Sequence, residues 1–206
     1  METTPIGTTQ TSISASERTN SASWIRGAVF TALFAALFVA FSFVRIPLWY
    51  SAIPITLQTL AVMLAGGLLG AYYGFLSILI VVLLTTAGLP LLGGSGGLGV
   101  VFGPSGGYIW MFPLSALLIG FVSDRLFARA SRLNRGGMAM LVIGLVLFSV
   151  VLAYVGGVPW YAFKAKLSFS DAMKFGCYPF LIGDFAKAAV AAVLIGTLRP
   201  LLARLR

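Results

Sequence analysis

From residue 24 onward, long apolar runs alternate with short breaks that are charged, proline-bearing or rich in glycine. A helix needs about 20 apolar residues to cross the hydrocarbon layer of a bilayer, and residues 24–44 supply one such run. Residues 55–91 carry no charge at all, but 37 residues exceed one crossing. The stretch AGGLLGAYYG at 65–74 offers a break, so two helices joined by a tight turn are expected there. Residues 108–122, 138–155 and 177–198 complete the set. The pattern predicts an all-α integral membrane domain over 24–206, with six transmembrane helices and a glycine-rich outer loop between helices 3 and 4. Residues 1–23 are rich in Ser and Thr, almost without large apolar residues, and lack the basic start and apolar core of a secretory signal. With Ile6 and Ile13 their only large apolar residues besides Met1, they are expected to form a disordered cytoplasmic tail.

Composition agrees with lipid as the solvent. The chain is 59% hydrophobic and 9% charged, where a water-soluble domain carries roughly a quarter charged residues. With no histidine and a single cysteine, Cys177, neither a zinc cluster nor a disulfide framework can be built, and no metal or cofactor is expected. The net charge of +9 raises the question of nucleic acid, but the placement of the basic residues answers it. With the N-terminus inside, nine of them fall on the cytoplasmic side (Arg18, Arg26, Arg125, Arg129, Arg132, Arg135, Arg199, Arg204 and Arg206) and four outside (Arg45, Lys164, Lys166 and Lys174). That bias is the positive-inside rule for a multi-pass protein of the cell (inner) membrane with both termini cytoplasmic. The inner arginines are also placed to meet anionic membrane lipid or a cytoplasmic partner. No GxxxxGK[ST] is present, so no nucleotide site can be argued.

Away from the ends of the expected spans stand one acidic and one basic residue, Asp184 and Lys187. Three residues apart, they share a helix face. A charge at membrane depth costs about 3 kcal/mol or more, so each needs a partner in the bundle interior. The pair is either an ion pair that locks two helices or a ligand site, and intramembrane ionisable residues mark substrate pathways often enough to favour the second. The segment at 88–108, GLPLLGGSGGLGVVFGPSGGY, holds nine glycines in 21 residues. Its Leu91, Leu92, Leu98, Val101 and Phe102 call for burial, so a folded cap dipping into the bundle is expected rather than a flexible connector. Gln58, the only long amide in an apolar span, either bridges helices or bonds a ligand. Arg45 and Tyr50 flank the same outer mouth, while Trp49 and Trp160 suit the interfacial aromatic belt. Ala28, Ala32, Ala36 and Ala40 form a smooth stripe on the first helix, fit either for packing within the bundle or for docking a separate membrane subunit.

Three segments, PITLQTLAVMLAGGLLG at 54–70, the glycine-rich run at 88–108 and CYPFLIGDFAKAA at 177–189, together resemble the BioY family, the biotin-binding S components of energy-coupling factor transporters. The resemblance covers nearly everything except the tail. It departs mildly at Ser105, where the family usually has Thr. It implies a six-helix, non-enzymatic S component that captures biotin with Asp184 and Lys187, under a loop around Gly93, Gly94, Ser95, Gly96 and Gly97. Gln58, Arg45, Tyr108 and Tyr178 are the further ligand candidates, and Trp110 and Phe180 are apolar surfaces for the thiophane ring. It also implies a transmembrane coupling subunit bearing two cytosolic ATPases, met through the alanine stripe. Solitary or homo-oligomeric operation stays an alternative. So does a secondary carrier for biotin or another vitamin, with Asp184 as a protonation switch. A Ser–Lys hydrolase built on Lys187 is disfavoured, since helix 6 contains no serine.

Overall fold

The computed structural model of the protein describes residues 9–129 and 132–203, with side chains from 24 to 202. Its elements run α1 (Thr9–Phe43), β1 (Arg45–Leu48), β2 (Ser51–Thr56), α2 (Gln58–Leu69), α3 (Ala71–Thr86), α4 (Leu98–Val101), α5 (Gly106–Arg129), α6 (Arg135–Leu145), a π-helical stretch (Val146–Val151), α7 (Leu152–Ala165), α8 (Phe169–Gly176) and α9 (Tyr178–Ala203). Among the described residues the regular structure is thus helical apart from one small hairpin, which the all-α expectation did not include.

Four helical stretches, Trp24–Phe43, Gly106–Arg129, Arg135–Ala165 and Tyr178–Leu202, are long and apolar enough to cross a bilayer. α2 and α3 are apolar but shorter, with 12 and 16 residues. α1 continues upstream of Trp24 to Thr9, within the segment expected to be a tail, and residues 1–8 lie outside those described. Extending a helix from an existing apolar one avoids the cost of a new nucleus, which lets polar residues join it.

α2 is the centre of the packing. Every residue from 61 to 69 is buried, as a helix surrounded on all sides requires. It approaches α5 so closely that a Cβ on Gly66 would lie 2.4 Å from the Ala116 carbonyl oxygen, so only glycine fits there. α1 turns Gly27, Thr31, Phe34, Phe38 and Ser42 inward, and Phe38 meets Phe112 edge-on at 5.8 Å. Ala28, Ala32, Ala36 and Ala40 all face outward, so the stripe takes no part in the packing of this chain.

The α2–α3 turn falls at Gly70, inside the break read from the sequence. The helix expected over 138–155 extends to Ala165, through Gly156, Gly157 and Pro159, because Gly157 receives the Tyr108 ring and Gly156 the Met111 side chain. The β1–β2 hairpin pairs Arg45 with Thr56 and Ile46 with Ile55. Pro47 and Pro54 exclude a helix, and a two-stranded ribbon tolerates them at its edges. Beyond α7, Ser168 caps α8 by accepting from Asp171 N at 3.1 Å. Hydrogen bonds from the Ser168 hydroxyl and the Lys174 ammonium hold the Asp171 carboxyl below its usual range.

Because α2 begins only at Gln58 and α3 ends at Thr86, the end of the bundle above them is not filled by helix. The hairpin and the segment between α3 and α5 close it instead, and they leave a cavity beneath.

Candidate functional site

Asp184 lies on the second turn of α9 and is 5% exposed. Its carboxylate is held from three helices. Lys187, one turn further along α9, donates from Nζ to Oδ1 at 2.9 Å and to Thr59 Oγ1 at 3.1 Å. The Thr59 hydroxyl, on the first turn of α2, donates to the same Oδ1 at 3.2 Å. The Tyr154 hydroxyl, on the first turn of α7, donates to Oδ2 at 2.5 Å. The i,i+3 spacing that joins acid and base on one helix therefore serves a larger purpose: the pair is compensated, as charges in an apolar bundle must be. Two oxygens offer about four acceptor sites. Three protein donors leave one, on Oδ2, for something else.

The carboxylate borders a cavity of about 290 Å³, at the small end of ligand pockets. Asp184, Tyr154, Thr59 and Gln58 line its polar side, and Tyr108, Ile109, Ala153 and Phe180 its apolar side. Tyr108 contributes its ring alone, since its hydroxyl is spent on the Gly176 carbonyl at 2.7 Å. The Tyr108 and Tyr154 rings meet edge-on at 6.2 Å. Gln58 does not bridge helices. Its Oε1 accepts from Thr56 Oγ1 at 3.2 Å, and its amide NH2 has no hydrogen-bond acceptor among the described residues.

Arg45, Ser42, Gly93 and Ser95 belong to the covering layer. Leu92 and Ser95 exchange two 3.1 Å backbone hydrogen bonds around Gly93 (φ 59°) and Gly94 (φ 78°), the two-residue turn that needs positive φ at both centres. A Cβ on Gly93 would approach the Arg45 guanidinium to 3.0 Å, so the bare backbone lets that cation rest on the turn. Arg45 makes no ion pair among the described residues. Arg45 and Lys187 against Asp184 leave the site with one positive charge in excess.

Several expectations need correction. Gly94, Gly96 and Gly97 do not line the cavity: the rigid turn brings Leu92, Gly93 and Ser95 to it, and Gly96 is packed on the Leu89 carbonyl. Tyr178 is 56% exposed on α9 and does not line this cavity. Trp110 packs with Phe102 instead of bordering the cavity. Lys187 reaches the site through Asp184 and Thr59, not through the cavity wall. Within the covering segment Leu92 and Val101 are buried as expected, but Leu98 and Phe102 are exposed, because α4 is a single turn with one inward face. Tyr154, Thr56 and Ser42 were not foreseen as lining residues. A hydroxyl in an apolar run carries no signal comparable to a charge.

Comparison with known proteins identifies relatives along most of the chain. A family model described as the BioY family matches residues 10–204. "Probable biotin transporter BioY" of Bacillus subtilis is 41% identical over 169 residues, covering 81% of this chain and 84% of the relative. "Biotin transporter BioY" of Rhizobium etli is 39% identical over 176 residues, covering 82% and 90%. The crystal structure at 2.1 Å of the S-component for biotin from an ECF-type ABC transporter superposes with a TM-score of 0.79 at 30% identity, covering 86% of this chain and 93% of that one. A family model matched from residue 10 to 204, with relatives 41% and 39% identical over most of both chains, places this chain in the BioY family.

Proposed function

We propose that this protein captures biotin from outside the cell, as the substrate-binding membrane subunit of an energy-coupling factor transporter. The observation that carries the reading is the polarity of the cavity: one open acceptor site on Asp184 at its polar side, an unpaired Arg45 in its cover, and apolar wall between. Biotin is a monoanion with two ureido N–H donors and a ureido carbonyl at one end, a valerate carboxylate at the other and a thiophane ring between. A ureido N–H suits the remaining Oδ2 site of Asp184, and its carbonyl the unused Gln58 amide. The ring packs against Tyr108, Ile109 and Phe180, and the carboxylate meets Arg45, a charge-assisted contact. Lys187 holds Asp184 in place through its hydrogen bonds to Oδ1 and to Thr59.

In this reading α1, α2, α3, α5, the α6–α7 rod and α9 are the six crossings, with both termini in the cytoplasm and the hairpin outside. The short α2 and α3 are completed by the covering segments. Isothermal titration of the purified protein is expected to give one biotin per chain, and the absence of binding overturns the proposal.

The outward alanine stripe supports docking of a transmembrane coupling subunit that carries the ATPases, since small residues let helices approach closely. Ala36→Trp is therefore expected to leave biotin affinity within about twofold and to reduce uptake by tenfold or more in cells that hold the coupling module, as surface changes outside the site cost little binding. Undiminished uptake by Ala36→Trp contradicts docking through this face. Uptake by vesicles containing this chain alone would favour the solitary carrier.

A further inference from the structure

The cover of the cavity is fastened to α1 by one side chain. Ser42, on the last turn of α1, is 3% exposed and lines the cavity. It accepts a hydrogen bond from Gly93 N at 2.8 Å. Its oxygen also lies 3.0 Å from the Leu91 carbonyl and 2.6 Å from the Val39 carbonyl one turn back on α1. A hydroxyl has a single proton to give. That proton can go to Leu91, fastening the cover, or to Val39, within the helix. Ser42 therefore never becomes an orphaned buried donor, whichever way the cover stands. Leu91 and Gly93, its two partners in the cover, stand at the entrance to the 92–95 turn, which its own cross-bonds hold together.

We propose that Ser42 is a latch that sets how often the 91–95 turn lifts from the cavity, and hence how fast ligand enters and leaves. The alternative acceptor at Val39 makes release inexpensive, which is what separates a latch from a permanent brace. Ser42 is a positioning residue in this scheme: it acts through the turn that carries Gly93 and Ser95 and on which Arg45 rests. The inference rests on the reading of the cavity as the biotin site.

The test uses the full chain in lipid nanodiscs with Ser42→Ala and Ser42→Thr. In the ligand-free protein, amide hydrogen exchange across 91–95 is expected to be about five- to tenfold faster in Ser42→Ala, the size of losing one or two neutral hydrogen bonds. Biotin association and dissociation, followed by stopped flow, should both accelerate, dissociation by roughly tenfold. Ser42→Thr, which keeps the hydroxyl, should return all three rates towards the parent. Unchanged exchange in Ser42→Ala overturns the latch. So does faster dissociation with association and exchange unaltered, the signature of a simple ligand contact, and so does a Ser42→Thr protein that behaves as the alanine variant. A parent protein that binds no biotin defeats the reading of the cavity, and the exchange measurement then decides the latch alone.

Discussion

Asp184→Asn is expected to weaken biotin binding by between tenfold and a hundredfold, because a charge-assisted hydrogen bond contributes about 1.5–3 kcal/mol. Asparagine keeps the shape of the side chain but loses the charge that faces Lys187 at 2.9 Å. It also presents an NH2 where either the Tyr154 hydroxyl or the ligand N–H needs an acceptor. The same change leaves Lys187 buried without its counter-charge, and breaking a buried pair costs stability on the order of 3 kcal/mol. Binding and stability therefore fall together in the single variant, which makes it ambiguous on its own. The double variant Asp184→Asn, Lys187→Met separates them. It removes both charges, so the thermal midpoint in detergent should recover towards that of the parent, while biotin affinity stays low because the acceptor is still missing. Calorimetric titration and thermal unfolding of the three proteins make the check. If affinity survives in Asp184→Asn, or returns in the double variant, Asp184 does not recognise the ligand.

The contrast between Asp184 and Tyr154 shows what the sequence could disclose. A lone acid and a lone base three residues apart in an oily helix are conspicuous, because lipid penalises each so heavily that their retention demands a reason. Tyr154 closes the same carboxylate from another helix, yet a tyrosine near the end of an apolar run looks like any interfacial aromatic. The interspersed leucines and valines of the glycine-rich segment called for burial, which Leu92 and Val101 show and Leu98 does not. Which glycines face inward was not legible, since that depends on the 92–95 turn and on where Arg45 comes to rest. The hairpin escaped because strands of four and six residues, each interrupted by proline, have no periodicity to read. The alanine stripe offered two readings by spacing alone, and only the packing of α1 shows that it faces away from the bundle.

Arg199 is the residue whose burial the sequence concealed most completely, since its position near the chain end marks it as a topology signal. It is 7% exposed, with its guanidinium over the Phe127 ring at 5.1 Å. Nη1 donates to the Gly67 carbonyl at 2.6 Å and to Ser123 Oγ, and Nη2 pairs with Asp124. Ser123 in turn donates to the Gly67 carbonyl at 2.9 Å, and Asp124 accepts from Ala71 N, the first amide of α3, at 2.9 Å. One planar fork thus ties α9 to the end of α2, to α5 and, through Asp124, to the start of α3. Arg199→Ala leaves a buried carbonyl and a hydroxyl short of a donor and an acid without its partner. The expected loss is about 3 kcal/mol, reduced from the fully buried case because the Asp124 side chain is 44% exposed. For a chain of this size that corresponds to a fall of roughly 6–12 °C in thermal midpoint. Arg199→Lys should recover only part of it, because an ammonium cannot serve three acceptors in a plane. Gly67 lies nine residues along α2 from Gln58, about 13 Å at the helical rise. Biotin affinity measured below the transition should therefore match that of the parent, the inverse of the Asp184→Asn, Lys187→Met result. An Arg199→Ala protein that melts with the parent, or that keeps its midpoint and loses biotin, would show that this fork does not brace the helices at all.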